Sequence, residues 1–155
     1  MSVFEWFRQA ANGEPDSPAA APADDEEATV AGLNFMSAID AHMKWKMRLE
    51  SHIHDSSTED LQTEAVSRDD KCALGQWIHG IGAERFGKFD AFGDVKAEHA
   101  NFHACAGRVL AASRQGRKQD ALEMLERGDY ARASRQVKIL LARLYVQIAE
   151  GEGTE

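Results

Sequence analysis

Val95-Lys-Ala-Glu-His-Ala-Asn-Phe-His-Ala-Cys-Ala-Gly-Arg-Val-Leu110 is the stretch on which the fold turns. Val95, His99, Phe102, Ala106 and Val109 or Leu110 recur at steps of three or four, which is the spacing of one helical face. A strand would alternate at every second residue. His103 follows His99 by one turn, so two imidazoles share a side. The spacing predicts a helix from about Asp94 to Ser113.

The same period continues on both sides, and no proline follows Pro22. An earlier helix is expected from Thr29 to His54. Leu33, Met36, Ile39, Met43 and Met47 form one of its stripes, and Phe35, Ile39, His42, Leu49 and Ile53 form a neighbouring one that turns His42 inward. Asp55-Ser56-Ser57-Thr58 breaks the pattern, and residues 61–66 read as an irregular or weakly helical connection. Asp69 or Asp70 then caps a short helix of about Lys71 to His79, with Cys72 in its first turn and Gly80 and Gly82 suited to a positive-φ C-cap. Beyond the turn at 115–117, Ala121, Leu122 and Leu125 mark a short helix. Tyr130, Val137, Leu140, Leu141, Leu144 and Ile148 give the last helix its stripe. The class is therefore all-α, and the expected architecture is an antiparallel four-helix bundle with short extra helices over residues 29–150.

The ends differ in character. Residues 1–13 form a short amphipathic peptide carrying Phe4, Trp6 and Phe7, residues 14–28 an acidic Pro/Ala linker expected to be disordered, and residues 151–155 a tail. Of the formal net charge of −8, most lies in the first 30 residues, where Arg8 stands alone against seven acids. The remainder is nearly neutral, which argues against binding nucleic acid or an anionic membrane surface. No apolar run approaches the roughly 18 residues that a membrane span requires. Two cysteines cannot build a disulfide framework, so a reducing cytoplasmic setting is expected.

His42, Cys72, His99 and His103 carry the chemistry. One Cys and three His make an ordinary tetrahedral zinc set, and an i,i+4 histidine pair supplies two corners from one helix. Cys72 at a helix N-terminus would have its thiol pKa lowered toward the thiolate that zinc binds. An ion joining three helices would couple metal occupancy to helix positions, as a sensor requires. His52, His54 and His79 read as solvent-facing, and Cys105 as a core or interface residue. A zincin peptidase needs His-Glu-x-x-His, but Ala100 follows His99. A di-iron site needs Glu-x-x-His motifs, and the chain has none. No catalytic residues are assigned, and the protein is not expected to be an enzyme.

Three segments in order, His42-Met-Lys-Trp-Lys-Met-Arg-Leu49, Cys72-Ala-Leu-Gly-Gln-Trp77 and His99-Ala-Asn-Phe-His103, resemble the bacterial chemoreceptor zinc-binding domain family over about residues 30–148. The resemblance implies a cytosolic four-helix domain, commonly dimeric, that binds zinc tightly and regulates chemotaxis receptors or diguanylate cyclases. By motif it implies His42, Cys72, His99 and His103 as ligands and Trp45 and Trp77 as packing residues beside them. In some members the zinc-bound cysteine is a target of hypochlorous acid. No receptor coiled coil or cyclase domain occurs in this sequence, so a stand-alone homodimer acting on a signalling partner in trans is expected, with Phe4, Trp6 and Phe7 as the docking element. Two alternatives stay open: a redox sensor working through Cys72, and a structural scaffold stapled by zinc.

Overall fold

A computed structural model describes residues 2–13 and 26–152. The elements are helix α1 (Val3–Ala11), a hairpin of β1 (Thr29–Val30) and β2 (Leu33–Asn34), then α2 (Phe35–Ile53), α3 (Thr63–Ser67), α4 (Ala73–Ile78), α5 (Ile81–Phe86), α6 (Asp90–Arg114), α7 (Lys118–Glu126) and α8 (Asp129–Glu152). The protein is mostly helical, as its periodicity requires. Three long helices, α2, α6 and α8, carry the core, and α6 with α8 forms the most extensive pair. α7 packs against all three, and α1 lies along α8. No helix among the described residues is long and apolar enough to cross a membrane.

The long α6 buries Val95, His99, Phe102, His103, Ala106, Val109 and Leu110, the face predicted from its spacing. Its start differs. Asp90 opens the helix four residues before the expected Asp94, adding Ala91 and Phe92 to the buried face. Arg114 ends it, and Gly116 (φ +77°) makes the turn into α7.

α2 begins later than Thr29, because the chain first makes a two-residue hairpin. Ala31 and Gly32 both have positive φ (49° and 86°), as a type I′ turn demands, and Val30 pairs with Leu33. Thr29 and Val30 are β-branched, which favours the strand. Asn34 then caps α2 by accepting from the Ser37 amide at 2.9 Å. Phe35, Met36, Ile39, His42, Leu49 and Ile53 are buried, whereas Met47, expected on an inner stripe, is 70 % exposed. The real apolar face is the narrower one containing His42.

α1 supplies the largest correction. Val3, Trp6, Phe7, Ala10 and Ala11 follow i, i+3, i+4, i+7, i+8 spacing and are all buried, and Ser2 caps the helix by accepting from the Glu5 amide at 3.1 Å. Phe7 stacks on Tyr145 of α8 (centroids 3.9 Å apart, planes 19°) and meets Phe35 edge-on. Arg143 donates to the Ala11 carbonyl at 3.2 Å, satisfying one of the acceptors that a helix end leaves open. Trp6 and Phe7 therefore belong to the core of this chain. They are not presented for docking, and only Phe4 remains half-buried. Most of the expected linker, residues 14–25, lies outside the described residues, as do residues 153–155. The adjoining Ala28 is fully buried, and the Glu27 carbonyl accepts from the Tyr145 hydroxyl at 2.7 Å.

Candidate metal centre

His42 sits midway along α2, and His99 and His103 lie one turn apart on α6. Cys72 enters from a third direction. It is not inside a first helical turn but is itself the N-cap of α4, with extended backbone (φ −91°, ψ 164°) and a thiol sulfur that accepts from the Gly75 amide at 3.4 Å. Asp69 and Asp70 do not cap this helix. Asp69 instead pairs with the exposed His79 at 3.0 Å, and Asp70 with Arg68. The Asp69 carbonyl runs so close to α4 that a Cβ on Gly75 would lie 1.6 Å from it. Only glycine at 75 lets the connection deliver Cys72 to the helix end. Gly80 and Gly82 make no positive-φ cap. Gly80 (φ −125°) begins α5, a helix that the sequence reading did not foresee.

The four side chains converge, with one donor atom from each lying within 4.8 Å of all the others. Cys72 Sγ is 3.8, 3.3 and 3.7 Å from the Nε2 atoms of His42, His99 and His103. His99 Nε2 is 3.1 Å from both other Nε2 atoms. Tetrahedral zinc bonds of about 2.0–2.3 Å place neighbouring ligand atoms roughly 3.3–3.6 Å apart. The observed spacings bracket that range.

Hydrogen bonding fixes which nitrogens face the centre. His42 Nδ1–H donates to the Ala38 carbonyl at 2.6 Å, and His103 Nδ1–H donates to the Val66 carbonyl at 2.9 Å. A carbonyl only accepts, so both Nδ1 atoms carry the proton and both neutral rings turn an Nε2 lone pair inward. His99 Nε2 faces those two lone pairs and the sulfur at once. A single N–H could satisfy only one of them, whereas a cation at the middle satisfies all. The donor set fits a metal ion.

Electrostatics points the same way. Burial holds His42 down at about 4, opposed in part by its bond to Ala38 and reinforced by His103. Burial also drives His99 well below the usual histidine range, and the neighbouring His103 and His42 add to the effect. His103 is lowered by burial against the opposing pull of the Val66 carbonyl. All three rings are therefore neutral at physiological pH, the state in which imidazole binds metal. Cys72 corrects the sequence-based expectation. Amides of Gly75 and Leu74 do pull its thiol down, but burial outweighs them and the net direction is up. The helix end alone does not make the thiolate; a bound cation would supply the missing charge.

The four predicted site residues are the ones brought together, and no other group of His, Cys, Asp or Glu among the described residues forms a comparable cluster. His52 is bonded to Ser113, His54 is exposed, and Cys105 is buried beside Arg108 and faces away from the cluster. Trp77 is a packing residue, stacked on Phe86 and edge-on to Phe35, with its indole N–H on the Ala31 carbonyl of the hairpin. Trp45 is half-buried under the Arg48 guanidinium at 3.8 Å. Sequence reasoning missed Val66 and Ala38, whose part is played by backbone carbonyls and so leaves no trace in residue type.

Residues 42–110 match the family model of the chemoreceptor zinc-binding domain. Over this segment, somewhat less than half of the chain, the sequence is similar to that family. The match begins on His42 and takes in Cys72, His99 and His103, while α1, the hairpin, α7 and α8 lie outside it. No curated protein and no solved structure matches the chain.

Proposed function

We propose that the protein is a zinc-responsive regulatory module. His42, Cys72, His99 and His103 are the ligands, and a homodimeric, cytoplasmic four-helix bundle built on α2, α6 and α8 modulates a signalling partner of the chemotaxis or diguanylate cyclase type. The observation that carries it is the convergence of four inward-facing donors from α2, the α4 cap and α6. Four protein donors complete a tetrahedral shell and leave no position for substrate, which favours regulation over catalysis. Zinc would supply the positive charge that holds the Cys72 thiolate, and its loss would release three elements from one point. The test compares zinc-loaded and chelated protein in two readouts: hydrogen exchange of α2, α4 and α6, and either binding to a purified chemoreceptor signalling fragment or the rate of a purified diguanylate cyclase. Zinc is expected to slow exchange in those helices and to change the partner readout severalfold. Identical behaviour in both forms would sink the proposal.

One observation favours a second reading, in which the site senses an oxidant. Cys72 is the only half-buried ligand, the three histidines being buried. Hypochlorous acid would take the thiolate to a sulfenic acid with release of chloride, weakening the bond to zinc. Hypochlorite is then expected to liberate zinc, measured with a chromophoric chelator, from the parent protein and equally from Cys105→Ser. Equal release from protein whose Cys72 has first been shown intact by mass spectrometry would rule this reading out.

A further inference from the structure

Two cavities meet beside the metal centre. One, of about 420 Å³, is walled by Trp45, Leu61, Val66 and the metal-site residues Cys72 and His103, with Arg48 and the acid Asp60 also on its lining. The other, of about 540 Å³, is polar and is ringed by Arg68, Lys71 and Arg114 against the single acid Glu64. Both include Gln62, Ala65 and Lys71, so they form one cleft along α3 with an apolar end and a cationic end. Their sizes fall in the range of small-molecule sites, about 300–1,000 Å³.

The charges within the cleft are unequal in their commitments. Arg48 is held by Glu59 through both its Nε and a terminal nitrogen, and Arg68 is gripped by Asp70 in the same forked manner. Arg114 donates to the Leu61 carbonyl, which orients its guanidinium without neutralising it. Lys71 makes no ion pair among the described residues and is exposed where the two cavities join. A solvated lysine at the junction of an apolar slot and a cationic bowl can receive an anion whose body lies in the slot.

We propose that this cleft binds a small amphipathic anion, its flat apolar body against Trp45, Leu61 and Val66 and its carboxylate or phosphate head at Lys71 and Arg114, the two cations of the cleft that no carboxylate neutralises. The occupant would touch the metal centre directly. Cys72 and His103 form the floor of the slot, and α3 supplies both a wall and the Val66 carbonyl that orients His103. A bound ligand would thus close the route from solvent to the half-buried Cys72 and slow the exit of zinc. That coupling rests on the proposed zinc reading, whereas binding in the cleft does not.

The probes are 2-naphthoate, 2-naphthyl phosphate and the uncharged 2-naphthalenemethanol, added to the full zinc-loaded chain and followed by fluorescence titration. At least one anion is expected to bind tenfold or more tightly than the alcohol, and which anion wins distinguishes a carboxylate site from a phosphate site. Lys71→Glu should weaken that anion at least tenfold and Arg114→Gln severalfold, while Lys118→Glu, a remote exposed cation on α7, should leave it unchanged. Arg114 lies at the far end of α6 from His99, so its variant tests the cleft apart from any disturbance of the metal ligands. The proposal is overturned if the alcohol binds as well as the anions, or if Arg114→Gln binds the anion like the parent. In a separate arm, saturating anion should slow extraction of zinc by a chelator severalfold. Unchanged extraction with intact binding would remove the coupling and leave the binding site standing.

Discussion

His99→Ala is expected to lower zinc affinity by on the order of a hundredfold or more and to remove most of the stabilisation that zinc gives. His99 Nε2 stands 3.1 Å from the other two imidazole nitrogens and 3.3 Å from the sulfur, so it is the donor nearest to all the rest. Apparent zinc-binding free energies in four-ligand structural sites run to about 10–16 kcal/mol, and losing a quarter of the shell forfeits roughly 3 kcal/mol even if contributions were equal. The residue is also fully buried, so alanine leaves a void that no exposed side chain can fill. For the parent, zinc at a thousandfold excess over its dissociation constant adds about 4 kcal/mol to unfolding, and at the same zinc concentration this increment should fall to about 1.4 kcal/mol or less in the variant. Competition against a chromophoric chelator and thermal melts with and without zinc measure the two quantities. His79→Ala is the matched control, because His79 is exposed and bound only to Asp69. Parent-like affinity in His99→Ala, or an equal loss in His79→Ala, would remove His99 from the ligand set.

His99 and His103 were legible in the sequence because helix geometry alone puts residues four apart on one side, and the apolar neighbours Val95, Phe102 and Ala106 say which side is inward. His42 was legible for the same reason, through its place among Ile39, Leu49 and Ile53. Cys72 was legible as a member of the cluster but not in its local setting. Whether a residue is a cap or a first-turn residue depends on one pair of backbone angles, and Asp69 and Asp70 offered better capping chemistry. What decided the matter was the approach of the Asp69 carbonyl to Gly75, a contact fixed by the whole connection from α3 to α4. The hairpin before α2 was hidden by a stripe that looked helical from Leu33 onward. Its signal was Gly32 shortly after the β-branched pair Thr29-Val30, which is weak when strands are only two residues long. The helix stripes also left Met47 ambiguous, since two overlapping faces were available on α2 and only packing against α6 and α8 selects one.

The aromatic N-terminal peptide shows the same limit from the other side, and it gives the second large expected effect. An amphipathic helix states that it has an apolar face to cover, but not whether the cover lies in the same chain. Here α8 provides it, through Tyr145 stacked on Phe7 and the Arg143 bond to the end of α1. Phe7→Ala should therefore destabilise the zinc-loaded protein by about 3–5 kcal/mol, the usual cost of emptying a buried phenylalanine site. For a domain of this length that corresponds to a fall in Tm of roughly 10 °C or more. Phe4→Ala, at a half-buried position on the same helix, should cost about 1 kcal/mol or less. A free docking peptide makes the opposite forecast: both variants would melt like the parent, and only partner binding would suffer. Differential scanning calorimetry of the two variants separates the cases, because a core residue changes Tm whether or not any partner is present. Equal melting of parent and Phe7→Ala would mean that α1 does not pack on α8 in solution.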